Sequence, residues 1–361
     1  MWAYMENNAN NSIVKKPSVL AASLLYLVVL LLMVGLSLAS SRFEFAGNSS
    51  FLILFIIQIV AILVPPMVYL VVKRINIKKT TRINRISLGE FFLVIGMAVF
   101  GYGVIIPINF VWNILLSKIG TPQTGTLPDI SSPEQYLLAL AVIALTPAIA
   151  EEFLFRGVIM RGYEKLGTRV SIVLTAIMFS LLHLSIVSLP FTLLLGILLA
   201  YIVYRSNTLF TGILYHFINN SIAVTLVYVS SILQKLFPIG EEAVESIRDI
   251  PDAQLKFTLI VMAVFGFIAL AFFSGCFAGF ILVTKGKHKA AKEAKIKDKE
   301  QIYAGSERQD ELSLNTMDIQ NASEPAKRRA RIVDFIPTLI AVAIIIGILV
   351  MELLTMISSA S

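Results

Sequence analysis

In this chain of 361 residues, 57% of positions are hydrophobic, 15% are charged and mean hydropathy is +0.81, where a soluble domain carries about a quarter charged residues. The charges cluster, and they leave apolar runs of roughly 20 residues, long enough to cross the hydrocarbon core as helices and too continuous for barrel strands. The formal net charge of +7 reads as Lys and Arg gathered in cytoplasmic loops, which excludes nucleic acid as a partner, and the single cysteine, Cys276, excludes an intrachain disulfide.

In chain order, Lys15 and Lys16 precede an apolar run longer than the h-region of a signal peptide, so Val19–Ala39 is expected as an uncleaved first span. Further spans are expected at Phe51–Val72, Phe91–Leu116, Tyr136–Phe155, Val170–Leu189, Phe191–Tyr204, Leu209–Leu233, Phe257–Thr284 and Phe335–Met356. Pro65 and Pro66 should kink the second, and Pro190 makes the short sixth a tight partner of the fifth. Cys276 falls in the eighth as a packing or lipid-facing residue, and Glu352 in the ninth as an interfacial charge. The fold class expected is therefore all-α, a polytopic bundle of about nine transmembrane helices.

Loop charge sets the expected orientation. Loops beginning at Lys73, Arg156, Arg205 and Lys285 are basic, as is the segment before the first span. The alternate loops carry Arg42 with Glu44, Lys118 with Asp129 and Glu134, and then Glu241, Glu242, Glu245, Asp249 and Asp252. This alternation places the N-terminus in the cytoplasm and the C-terminus outside. The polar stretch Lys285–Arg331 reads as a tether; Lys287, Lys289, Lys292, Lys295, Lys297 and Lys299 suit a helix on an anionic leaflet, and the remainder a flexible linker.

Ionisable groups inside spans are expensive, about 2.5–3.5 kcal/mol each on insertion scales, so those that are kept are informative. Of the histidines His183, His216 and His288, the first two fall inside spans. Glu151 and Glu152 close the fourth span as drawn; Glu152 shares a helix face with Arg156, which leaves Glu151 free to point elsewhere. Phe179 and His183 lie four apart on the fifth span, and His216 and Asn220 four apart on the seventh. Taken singly, each element suits an interfacial charge cluster or polar glue between helices.

Taken together, a carboxylate, two imidazoles and an amide suit amide hydrolysis. Glu151 can take a proton from water as general base. An imidazole can position that water or protonate the departing amine, and the Asn220 amide, with or without His216, can stabilise an oxyanion. His183, His216 and Glu151 are also a ligand set of the kind used by catalytic zinc, so metal activation and a metal-free glutamate route are equally open. No HExxH helix and no GxSxG elbow occurs.

Glu151-Glu152-x-x-x-Arg156, then Phe179-x-x-x-His183, then His216-x-x-x-Asn220, in that order on successive helices, resembles the CPBP family. This is the CAAX-protease and bacteriocin-processing (Abi) group of intramembrane proteases, also called type II CAAX prenyl endopeptidases. The resemblance runs from about Leu137 to Thr225. It implies that Glu151 activates water, that Glu152 and Arg156 support it, and that His183, His216 and Asn220 complete the catalytic set. The organisation expected is 1–133 N-terminal helices, 134–233 catalytic core, 234–284 an external acidic loop and an added span, 285–334 a basic tether and 335–361 a C-terminal span. The function implied is an intramembrane endopeptidase of a prokaryotic plasma membrane, with a peptide or membrane-protein substrate, serving peptide maturation, bacteriocin self-immunity or membrane-protein processing. The competing readings are a non-catalytic immunity or scaffold partner and a proton-coupled transporter.

Overall fold

The computed structural model describes residues 15–41, 49–122, 128, 130–237, 250–294, 296 and 330–359. Among these residues there is no strand. The bundle comprises α1 (Val19–Ser40), α2 (Ser50–Val72), α3 (Leu88–Ser117), α4 (Pro133–Leu166), α5 (Thr168–Leu182), α6 (Leu189–Ser206), α7 (Leu209–Leu236), α8 (Asp252–Val283) and α9 (Ile332–Ser358). All but α5 are long and apolar enough to cross a membrane. With 15 residues, α5 extends roughly 22 Å, short of the ~30 Å hydrocarbon core. Large apolar side chains such as Val72, Phe267 and Leu282 face outward, the surface that lipid covers in a polytopic protein. Glu44, Asp129, Glu241, Glu242, Glu245, Asp249, Lys295, Lys297 and Lys299 lie outside the described residues.

Local sequence sets the helix ends. Ser18 caps α1, Ser87 and Glu90 form a reciprocal capping box at α3, and Ser132 with Gln135 forms another at α4. Helix α5 stops at its C-cap residue His183, and Leu184 then takes a left-handed φ of 50°, a conformation uncommon outside glycine that turns the chain out of the helix. In α2 and α4 a widened turn precedes the prolines. Pro65 and Pro66 follow the π-type turns Ile57–Leu63 of α2, and Pro147 follows Leu140–Leu145 of α4, because a proline has no N–H for the carbonyl four residues back.

Small residues bring α3 and α8 together. An added Cβ would meet Cys276 Sγ at 2.7 Å from Gly96, Ala269 Cβ at 2.9 Å from Gly103, and Pro107 Cγ at 2.9 Å from Gly266. Close approach through glycine is a common way for helices to associate in lipid. Cys276 is thus a half-buried packing residue on the α3 face. Helix α9 packs on α1, and Tyr163 of α4 stacks on Phe335 at its start. Helices α5 and α6 form a hairpin tied by the Ser180 and Thr192 hydroxyls, 2.8 Å apart.

Candidate active site

Helix α4 does not end at Phe155, as the charged pattern Glu-Glu-x-x-x-Arg led us to expect; it continues to Leu166. Glu151, Glu152 and Arg156 are therefore not at an interface. They are 8%, 0% and 0% exposed. Leu166 is 15 positions beyond Glu151, and His183 follows the 15 residues of α5, so both groups lie about 22 Å from the same end of the bundle. The charges inside α4 persist because they are paired within the protein, and insertion cost applies to unpaired charge.

The pairing is a relay across four helices, α2, α4, α6 and α7. Arg156 Nη1 donates to Glu152 Oε1 at 2.7 Å, and its Nη2 donates to the Gly196 carbonyl of α6 at 3.1 Å. The guanidinium also lies over the Phe179 ring, 4.5 Å from its centroid, a favourable cation–π placement. Glu152 Oε1 stands 3.2 Å from Nδ1 of His216 on α7. A carboxylate accepts, so Nδ1 carries the proton and His216 Nε2 is left with its lone pair. That Nε2 faces Glu151 Oε2 at 4.0 Å. On its other side, Glu151 Oε1 accepts from Gln58 Nε2 of α2 at 3.0 Å. Glu151 Oε2 is buried and has no hydrogen-bond partner.

His183 stands beside this relay without joining it. Its Nδ1 lies 2.8 Å from the Phe179 carbonyl. A carbonyl only accepts, so Nδ1 is the protonated nitrogen and Nε2 is free. The His183 and His216 rings both meet Phe179 edge-on, with centroids 4.8 and 5.9 Å from it. Phe179 thus orients both imidazoles. His183 is exposed at the end of α5, and His216 is buried.

Asn220 is directed to α4. Its Nδ2 donates to the Ile143 carbonyl at 3.3 Å, and its Oδ1 accepts from Asn219 at 3.2 Å. Ile143 precedes Pro147 by four residues, so Asn220 serves a carbonyl that the proline cannot reach in α-helical geometry. Among the described residues, no three His, Cys, Asp or Glu side chains are grouped so that they could hold a metal ion. His183, His216 and Glu151 do not fit as a ligand set in this arrangement.

The geometry adds three residues to the sequence reading. Gln58 fixes Glu151 and gives no sequence signal beyond being an amide in an apolar run. Gly212 makes room for the relay, because a Cβ there would lie 2.6 Å from Glu152 Oε2 and 2.6 Å from Val203 Cγ2; it sits one turn before His216, a spacing the sequence does show. Glu352 is the third. Half-buried near the end of α9, its carboxylate accepts from Ser185 Oγ at 3.2 Å and from the Ile186 amide at 2.8 Å.

Compared with known proteins, residues 133–222 match the family model of type II CAAX prenyl endopeptidases, described as Rce1-like. No curated protein and no solved structure matches the chain.

Proposed function

From the premise that residues 133–222 form an Rce1-like domain of the CAAX protease family, we propose that this multi-pass membrane protein is an intramembrane endopeptidase whose nucleophile is a water held between Glu151 and His216. The observation that carries this reading is the 4.0 Å separation of Glu151 Oε2 and His216 Nε2. Both atoms are acceptors once Glu152 has fixed the His216 tautomer. A water oxygen can hydrogen-bond both across that gap, giving one proton to each, and this leaves its own lone pairs free for a carbonyl carbon.

The chemistry then balances within the chain's own residues. The water oxygen attacks the peptide carbonyl while its proton passes to Glu151. The carbonyl oxygen becomes an oxyanion, for which the Asn220 amide, through the N–H that the Ile143 carbonyl leaves unused, is the uncharged donor of the expected set. Collapse breaks the C–N bond, and the amine leaves with the proton that Glu151 took from the water, while His183 Nε2, a free acceptor, can hold the departing amide N–H. Arg156 pairs with Glu152 and holds that carboxylate against His216 Nδ1. The substrate is a peptide segment that reaches the bundle interior, in the service of peptide maturation, bacteriocin self-immunity or membrane-protein processing at a cell membrane.

The test uses full-length protein in nanodiscs with a fluorogenic peptide library, half of it farnesylated. Cleavage is expected, with a loss of at least about 100-fold in Glu151→Gln, the size of a general-base contribution. Folded Glu151→Gln protein that cleaves at the wild-type rate would sink the reading, as would wild-type protein with no cleavage in either half.

A further inference from the structure

A second polar cavity, of about 200 Å³, lies at the basic end of the bundle. It shares no residue with the relay. Its carboxylate, Glu164, is 13 positions beyond Glu151 on α4, roughly 20 Å along the axis. The lining brings together Lys16 before α1, Lys79 and Arg82 before α3, Arg161 of α4 and Lys292 beyond α8, against the single carboxylate Glu164.

Positive charge in these loops is ordinary, but the placement of this charge is not. A loop cation that serves only orientation stands in water, as Lys289 does at 80% exposed. Arg82 and Arg161 are 6% and 7% exposed. Arg82 Nη2 and Arg161 Nη1 both donate to Glu164, and Lys16 Nζ lies 3.8 Å from the same carboxylate. Arg82 Nε donates to Asn207 Oδ1 at 3.0 Å, and its guanidinium lies 5.7 Å from the Tyr204 ring centroid. Its Nη1 is buried with no hydrogen-bond partner.

The backbone is also built to hold Arg82 there. Arg82 and Asn207 both have left-handed φ, 56° and 53°, a conformation that persists in such residues only where the surroundings fix it. Here the Leu209 amide donates to the Arg82 carbonyl at 2.9 Å, and Asn84 Nδ2 donates to the Asn207 carbonyl at 2.6 Å. The left-handed Arg82 and the Asn207 cap of α6 are thus locked face to face, each presenting its side chain to the other.

We propose that this cavity binds a phosphate group, presented either by the headgroup of an anionic phospholipid or as free phosphate. A guanidinium with an unused N–H, ringed by ammonium groups from separate segments, suits the several oxygens of a phosphate. The mouths of α1, α4 and α6 that surround the cavity are the helix ends that meet the headgroup layer in a spanning bundle.

Thermal unfolding of the full chain in phosphatidylcholine nanodiscs tests this. One arm adds phosphatidylglycerol to the disc, and the other adds inorganic phosphate, with chloride at equal ionic strength as control. Ligand that binds only the folded state raises Tm with concentration. A rise in the lipid arm alone assigns the headgroup, and a rise in both assigns phosphate itself. Lys79→Gln and Lys292→Gln, both exposed and removed from the buried triad, should each weaken binding roughly fivefold, the effect of about one basic residue near an anionic surface. Arg82→Gln should abolish it. Equal shifts with chloride, no shift in either arm, or equal shifts in wild type and the two lysine variants would overturn the proposal.

Discussion

Glu352, nine residues before the end of the chain at Ser361, accepts a hydrogen bond from the Ile186 amide at 2.8 Å, three residues after His183. Its second oxygen holds Ser185 Oγ, and from α3 the Trp112 indole donates to the Ile186 carbonyl at 2.9 Å. The loop between α5 and α6 is thereby clamped from two helices that lie outside the matched segment 133–222. Leu184, directly after His183, holds φ at 50°. A loop with such a residue relaxes when its partners are removed.

Glu352→Ala should therefore lower kcat about tenfold, close to 1.4 kcal/mol in the barrier, with a smaller change in KM, because the His183 ring loses its fixed position. Glu352→Gln keeps one acceptor for the Ile186 amide and should recover most of the loss. Steady-state kinetics on a peptide that the library test selects decide the matter. A Glu352→Ala enzyme with unchanged kcat, or one whose only defect is a lower Tm, contradicts the positioning role.

Gln58 provides a second test from outside the matched segment. Its Nε2 holds Glu151 Oε1 at 3.0 Å, and this directs Oε2 towards His216. Gln58→Leu should reduce kcat about 10- to 100-fold through loss of alignment. Gln58→Glu puts a like charge beside Glu151 and should be worse than Gln58→Leu. Equal activity of both variants would show that the amide only packs.

The fold class is legible in the sequence because lipid imposes one answer on a long apolar run. The ion pair of the relay is legible because an i, i+4 pair such as Glu152 and Arg156 marks one helix face without any tertiary knowledge. The length of α4 is not legible. Arg156 looks like the end of a span, and only its partners, Glu152 and the Gly196 carbonyl, show that this charge is internal. Gln58 and Glu352 are hidden for a related reason: each meets its partner across more than 90 positions of sequence, where no periodicity connects them. The reach of α5 is misjudged because the apolar run continues through Leu184 to Leu189, while the backbone turns at His183.

The buried pair itself supports a double-mutant cycle. Glu152 and Arg156 are both fully buried, so Arg156→Met leaves a carboxylate without its counter-charge and should destabilise by about 3–5 kcal/mol. Glu152→Gln with Arg156→Met removes both charges and should restore much of that stability, as replacement of whole buried pairs does. Turnover should stay low in the double variant, because His216 Nδ1 has lost the carboxylate that sets its tautomer. Thermal unfolding read beside kcat separates the two roles; recovery of both together would make the pair purely structural.

His288 reports on the second cavity. It stands on the helical stretch 285–294, with its ring edge-on to Tyr204. Burial, and then Arg205 and Lys292, hold its pKa below the ordinary 6.5. The folded state therefore favours neutral imidazole. Its contribution to stability is present above pH 6.5 and is lost as pH falls through the lower folded value. A phosphate among these cations adds the opposite charge and should raise the value. Proton NMR of the ring, with and without phosphate, measures both; a resting value at or above the ordinary one contradicts the geometry.

Gly212 is the most economical probe of the relay. A methyl group there would press on Glu152 Oε2 from one side and Val203 Cγ2 on the other, each at 2.6 Å, below any ordinary contact. The Val203 methyl is packed in the core at 0% exposure, so the carboxylate must move, and with it the hydrogen bond to His216 Nδ1. Alanine is the better helix former by about 1 kcal/mol, which works against a loss of stability and in favour of folded protein. Gly212→Ala should thus lower kcat by more than tenfold while Tm changes by a few degrees. Val203→Ala in the same chain opens the other side, and partial return of kcat in the pair would tie the defect to displacement of Glu152.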